Sequence, residues 1–213
     1  EYRVVERPAA LVDVSENGEA MVRISETGIV EFFSVADGSG IAAYDLGSTI
    51  VRAKRLSPLV DTYALLDNNN NLLFVKTDYV VDFDGGQRRL SPKLSFPFSK
   101  RSIPLGPLDN FDVQLADDDL VIATVRGSQV SLTRFKNVEI GYRLSGSAQV
   151  TLASTVQAQE VFLGPRNQWI YLLSKSGEID LLGIKSLQRV SRLYRGSLAP
   201  EGSTITAVTP VLG

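Results

Sequence analysis

Four segments of this chain share one pattern: two short apolar runs, rich in β-branched and aromatic residues, on either side of a polar turn. They are 21–33 (MVRISETGIVEFF), 72–83 (LLFVKTDYVVDF), 120–135 (LVIATVRGSQVSLTRF) and 167–184 (NQWIYLLSKSGEIDLLGI). Such runs predict antiparallel β-hairpins. The turns are expected at Glu26, Thr27 and Gly28; at Thr77 and Asp78; at Arg126, Gly127 and Ser128; and at Ser174, Lys175, Ser176 and Gly177. A residue such as Gly177 supplies the positive φ that a tight hairpin demands. The marker residues Gly28, Asp78, Gly127 and Gly177 are spaced by 50, 49 and 50 positions. One strong hairpin in every ~50 residues is the mark of propeller blades or a related β-array. The expected fold is therefore all-β: a β-propeller-like array of about four antiparallel blades. Residues 1–213 are read as a single β-repeat domain, with blades at approximately 9–40, 41–98, 108–152 and 158–213.

Within this frame, Arg23 and Glu31 fall on the alternate, solvated face of the first hairpin. Asp37, Gly38, Ser39 and Gly40 close the first repeat. Strands are expected over 49–55 and 63–66. The run DNNNN at 67–71 is a tight connection, because Asn and Asp tolerate left-handed backbone and bond to neighbouring amides. It lacks the alternating carboxylates, central Gly and terminal Glu of a calcium loop. Residues 87–107 carry four prolines, which exclude a central strand or a helix interior. They read as an inter-blade connection or an extended edge, and Arg88, Arg89, Lys93, Lys100 and Arg101 make them the most basic part of the chain. Asp117, Asp118 and Asp119 read as a solvated turn, Trp169 as a packing residue, and 205–212 as a closing strand.

Composition narrows the chemistry. There is no His and no Cys. That removes imidazole and thiol catalysis and the usual zinc and copper sites. The net charge of -2 argues against a general nucleic-acid binder, which needs a basic surface. No stretch reaches the ~18–20 apolar residues of a membrane-spanning helix, and the first residue is Glu1. The chain reads as a processed or excised portion of a longer protein. Glu31, Asp82, Glu139 and Asp180 lie at comparable points of second strands, where a two-carboxylate glycosidase is conceivable. Outward-facing charge on repeated strands explains them equally well. The expectation is no enzyme, no metal and no cofactor.

The hairpin SETGIVEFFSVADG, the segment LSPKLSFPF and the blade pattern around Trp169 together resemble one family. The chain is similar to the large extracytoplasmic domain of long-form bacterial phosphate ABC transporter permeases. That resemblance implies a non-catalytic accessory domain at the periplasmic face of the inner membrane. Its partners would be a phosphate-binding protein and other transporter subunits, with the membrane reached through segments outside this chain. No binding residue is carried over from the family. The candidates for an acidic partner or an anion are Arg88, Arg89, Lys100 and Arg101. The alternative is a free-standing β-propeller interaction scaffold unrelated to transport.

Overall fold

The computed structural model describes residues 8–57, 60–97, 102–116, 119–138, 141–151, 160–164, 168–174, 176–186, 189–197 and 200. Every regular element among them is a β-strand. The chain divides into two compact units, Glu1–Gly106 and Pro107–Gly213.

In the first unit, β1 (Ala9–Val14), β2 (Ala20–Ser25), β3 (Ile29–Ser34) and β4 (Gly40–Asp45) form one antiparallel sheet in chain order. β5 (Ile50–Ser57), β6 (Val60–Asp67), β7 (Asn71–Asp84) and β8 (Gln87–Ser95) form a second, which β9 (Ser102–Pro104) joins by pairing with β7. In the second unit, β10 (Asn110–Ala116), β11 (Asp119–Arg126), β12 (Gln129–Val138) and β13 (Gly141–Thr151) make a third sheet. β14 (Glu160–Leu163), β15 (Trp169–Leu173), β16 (Glu178–Ser186) and β17 (Arg189–Ser197) make a fourth. Each sheet is built on the four-stranded up-and-down meander of a propeller blade, to which β9 adds a fifth strand in the second, so the fold is an all-β, propeller-like array.

One core lies between the two sheets of each unit. Val22, Ile24, Val30 and Phe32 of the first sheet meet Ile50, Tyr63, Leu65, Leu73 and Val75 of the second. Val121, Ala123, Val125, Val130 and Leu132 of the third meet Val161, Leu163, Ile170, Leu172 and Leu182 of the fourth. These residues alternate along their strands, which places them on one face of each sheet. In the second sheet the other face is buried as well, through Ala64, Leu66, Leu72 and Phe74. That is why β6 and the start of β7 read as unbroken apolar runs.

Three of the expected hairpins stand at their expected turns. Gly28, Gly127 and Gly177 have φ of 82°, 55° and 83°, between β2 and β3, β11 and β12, and β15 and β16. The second hairpin is different. No turn occurs at Asp78, because β7 runs unbroken for 14 residues. The chain reverses instead at 67–71, joining β6 to β7. There Asp67 Oδ1 accepts from the amides of Asn69 (2.8 Å) and Asn71 (2.7 Å), and Asp67 Oδ2 accepts from Asn71 Nδ2 (3.0 Å). Asn70 takes φ 59°, which Asn adopts more readily than most residues. The regular spacing of Asp78 from Gly28 and Gly127 is a coincidence of composition: Lys76 and Asp78 are polar because their side chains face solvent, and Thr77 between them is buried.

Two further differences follow. Gly40 opens β4, the outer strand of the first sheet, so that sheet extends to Asp45. Arg23 is not solvated: it is 6% exposed, and its Nη2 lies 2.9 Å from Glu31 Oε2 on the paired position of β3. The proline-rich segment does form a strand, and β8 is an edge, as Pro92 requires. The closing strand expected at 205–212 lies outside the described residues.

Beyond its first turn, β7 outgrows its sheet. β6 pairs with it only from Leu72 to Lys76. β8 pairs with it from Lys76 to Asp84. The far half of β7 and all of β8 thus project as a two-stranded ribbon, closed by Gly85 and Gly86 with φ of 58° and 85°.

Candidate functional site

The ribbon is anchored to the first sheet on one face. Tyr79 stands edge-on to Phe32, with ring centroids 6.1 Å apart, and Tyr44 packs edge-on to the same ring at 6.0 Å. The Tyr44 hydroxyl donates to the Pro92 carbonyl at 2.7 Å. Further out, Arg88 Nη2 donates to both carboxylate oxygens of Glu19 at 2.7 Å.

Glu19 is held by the turn between β1 and β2. Ser15 Oγ donates to Asn17 Oδ1 (2.6 Å), and the amides of Glu19 and Ala20 donate to Asn17 Oδ1 (3.1 Å) and Ser15 Oγ (3.0 Å). Gly18, at φ 72°, turns the chain. The Glu16 amide donates to both oxygens of Asp61, at 3.1 Å each. Arg55 then bridges Asp61 (2.6 Å) and Asp13 (3.0 Å). Asp61 is buried. Burial, the largest influence, raises its pKa above the ordinary value, against the Glu16 amide and the Arg55 charge, which lower it. The Tyr63 hydroxyl, deeper in the same interface, is also pushed well up by burial. Sequence reasoning missed this clasp, since none of its members stands in a motif.

Two grooves flank the β1–β2 turn. The first, about 660 Å³, is bordered by Gly18, Glu19, Ser34, Val35, Ile41 and the β8 residues Arg88, Arg89 and Leu90. It brings together two of the four basic residues singled out by sequence. Arg88 is engaged by Glu19, whereas the Arg89 side chain has no hydrogen-bond or ion-pair partner among the described residues. Lys100 and Arg101 lie outside the described residues. The second groove, about 570 Å³, is bordered by Glu16, Asn17, Asp61, Lys76, Thr77, Asp78 and Tyr79.

The carboxylates at comparable strand positions do not converge. Glu31 is bound to Arg23, Asp82 is exposed on the ribbon, Asp180 is fully buried, and Glu139 lies outside the described residues. Asp180 is therefore not the outward-facing charge that its spacing suggested. Asp119 sits 3.8 Å from Arg134, and Asp117 and Asp118 are outside the described residues. Among the described residues no cluster of His, Cys, Asp or Glu could hold a metal ion. Trp169 packs closely at the end of β14, where a Cβ built on Gly164 would approach the Trp169 Cβ to 3.0 Å.

No family profile matches the chain, and no curated protein is similar to it in sequence. Similar solved structures include the β-propeller domain of Cps50 (Swd1) from Myceliophteria thermophila. It is 9% identical with a TM-score of 0.49, over 89% of this chain and 59% of that one. A functionally unknown protein from Desulfotomaculum acetoxidans is 14% identical with a TM-score of 0.49, over 86% of this chain and 54% of that one. The chain spans little more than half the length of either.

Proposed function

We propose that this chain is a non-catalytic interaction domain whose partner docks in the groove bordered by Arg88, Arg89 and Leu90. The observation that carries this reading is the makeup of that groove: its lining includes the exposed Val35 together with Arg88 and Arg89, and the Arg89 side chain makes no ion pair among the described residues. A free anion such as phosphate is held by several converging donors, and here Arg88 is already bound by Glu19. An acidic loop of a protein fits better, because it can engage Arg89 and cover Val35 in the same contact.

The resemblance to the extracytoplasmic domain of phosphate permeases supports a setting at the periplasmic face of a bacterial inner membrane. In that setting the partner is the phosphate-binding protein, and transport itself belongs to segments outside this chain.

The test is a titration with the phosphate-binding protein of the same bacterium, with and without phosphate. Saturable binding that is weakened by salt and lost in R89E is the expected result. Binding unaffected by R88E/R89E, with K100E/R101E as the parallel control, would move the contact elsewhere. No binding at low salt and high concentration would overturn the transport assignment.

A further inference from the structure

The two edges of the β7–β8 ribbon are not alike. Its turn has two residues, Gly85 and Gly86, both at positive φ, so the flanking pair Asp84 and Gln87 is hydrogen-bonded. Bonded and non-bonded pairs alternate along an antiparallel ladder. With the observed register, Asp82 with Arg89 and Val80 with Ser91 are bonded pairs, whereas Phe83 with Arg88, Val81 with Leu90 and Tyr79 with Pro92 are not. The backbone groups of Tyr79, Val81 and Phe83 therefore point away from β8.

On the β8 edge the outward positions are Arg88, Leu90 and Pro92. Pro92 has no N–H, and its carbonyl is taken by Tyr44, so a continuous ladder along that edge is interrupted there. On the β7 edge, β6 stops pairing at Lys76, and no described strand pairs with the outward groups of Tyr79, Val81 and Phe83. The second groove lies along the start of this edge, between Thr77, Asp78 and Tyr79 on one side and Glu16, Asn17 and Asp61 on the other.

We propose that the free edge of β7, from Asp78 to Asp84, receives an extended strand of another protein in which basic and apolar residues alternate. This surface meets the Arg89 position at its cross-strand partner Asp82, but it does not depend on a partner in the groove. A strand laid along β7 meets Tyr79, Val81 and Phe83 on one face and Asp78, Val80, Asp82 and Asp84 on the other. Val81 is 39% exposed and Phe83 72% exposed, so the first face calls for apolar residues. On the second face Arg89 stands opposite Asp82 and Lys93 opposite Asp78 on the β8 side, but Asp82 and Asp84 make no ion pair among the described residues, so their open side along β7 calls for Lys or Arg. The pattern also excludes a second copy of this chain. Two β7 edges pairing antiparallel would set carboxylate against carboxylate, which is the device sheet proteins use against self-association.

The probe is a seven-residue peptide of alternating Lys and Val, blocked at both ends and titrated into the full 213-residue chain. Its controls are a Glu–Val peptide and a Lys–Val peptide with a central proline. The expected result is saturable binding of the Lys–Val peptide alone, about tenfold weaker against D82K/D84K and lost against V81P. V81P removes an outward N–H and leaves the bonded pairs with β8 intact. In the amide exchange spectrum, Tyr79, Val81 and Phe83 should exchange rapidly in the free protein and slow on binding. Val80, Asp82 and Asp84 should be protected throughout. Equal binding of the proline-containing peptide, binding unchanged in D82K/D84K, or slow exchange at Val81 and Phe83 in the free protein would each overturn the proposal. So would dimerisation of the free protein through this edge.

Discussion

Arg88 donates to both oxygens of Glu19 at 2.7 Å across 69 positions of sequence. The pair ties the ribbon to the first sheet and occupies one of the two cations in the groove. The Arg88 and Glu19 side chains are 48% and 34% exposed, so the bond contributes no more than about 1 kcal/mol to stability. Glu19→Gln should leave the urea midpoint almost unchanged while freeing Arg88. An acidic partner should then bind several-fold more tightly at low salt, and the gain should fade as ionic strength rises. Unchanged affinity would place the partner elsewhere.

Asp61 gives a pH dependence of definite sign. Its folded-state pKa lies above the ordinary 3.8, so the folded protein binds a proton more readily than the unfolded chain. Its contribution to stability is full below the ordinary value and declines as pH rises through the raised one. Burial raises this pKa most, the Arg55 charge lowers it and the Glu16 and Asp13 charges raise it, and Tyr63, Lys76, Asp78 and Tyr79 also face this region. Subtracting the urea stability of Asp61→Asn, pH by pH, isolates the term. The difference between wild type and variant should fall from acid to neutral pH. A rising difference would show that the Arg55 pair dominates over burial.

Gly28 and Gly127 both occupy the left-handed region, with φ of 82° and 55°, but only one is crowded. A Cβ on Gly28 would strike the Ser48 carbonyl, whereas one on Gly127 meets open space. Gly127→Ala should cost about 1 kcal/mol from backbone strain alone. Gly28→Ala should cost at least about 3 kcal/mol or prevent folding, because the collision is with backbone that cannot swing aside. Equal costs in chemical denaturation would contradict this arrangement.

The position of the second turn can be tested directly. Asp67→Ala removes an acceptor for two amides and a side-chain donor and should cost about 2 kcal/mol. Asp78→Ala lies mid-strand on an exposed ion pair with Lys76 and should stay within about 0.5 kcal/mol. Asn70→Gly should be neutral or mildly stabilising, since φ 59° suits glycine without strain. The reverse ranking of Asp67 and Asp78 would restore a turn at Asp78.

Phe32 and Phe83 make a similar contrast. Phe32 is fully buried between Tyr44 and Tyr79, so Phe32→Ala should cost about 3–5 kcal/mol. Phe83→Ser, at the ribbon tip, should leave thermal stability unchanged within about 0.5 kcal/mol and abolish binding of the Lys–Val peptide.

Hairpins turning at Gly28, Gly127 and Gly177 were legible because everything that specifies them is local. A glycine at positive φ and two alternating runs lie within some fifteen residues, and each hairpin closes on itself. The chain alone therefore determined an all-β fold of repeated hairpins and a basic segment near Arg88 and Arg89. The length of β7, the burial of Arg23, the clasp of Asp13, Arg55 and Asp61, and the capture of Arg88 by Glu19 were decided only by tertiary structure. Each depends on which sheet faces which, and that is set by burying apolar faces contributed from distant parts of the chain. Alternation says that a strand has two faces. Only the stacked neighbour decides which of them water reaches, and so which charges remain free to meet a partner.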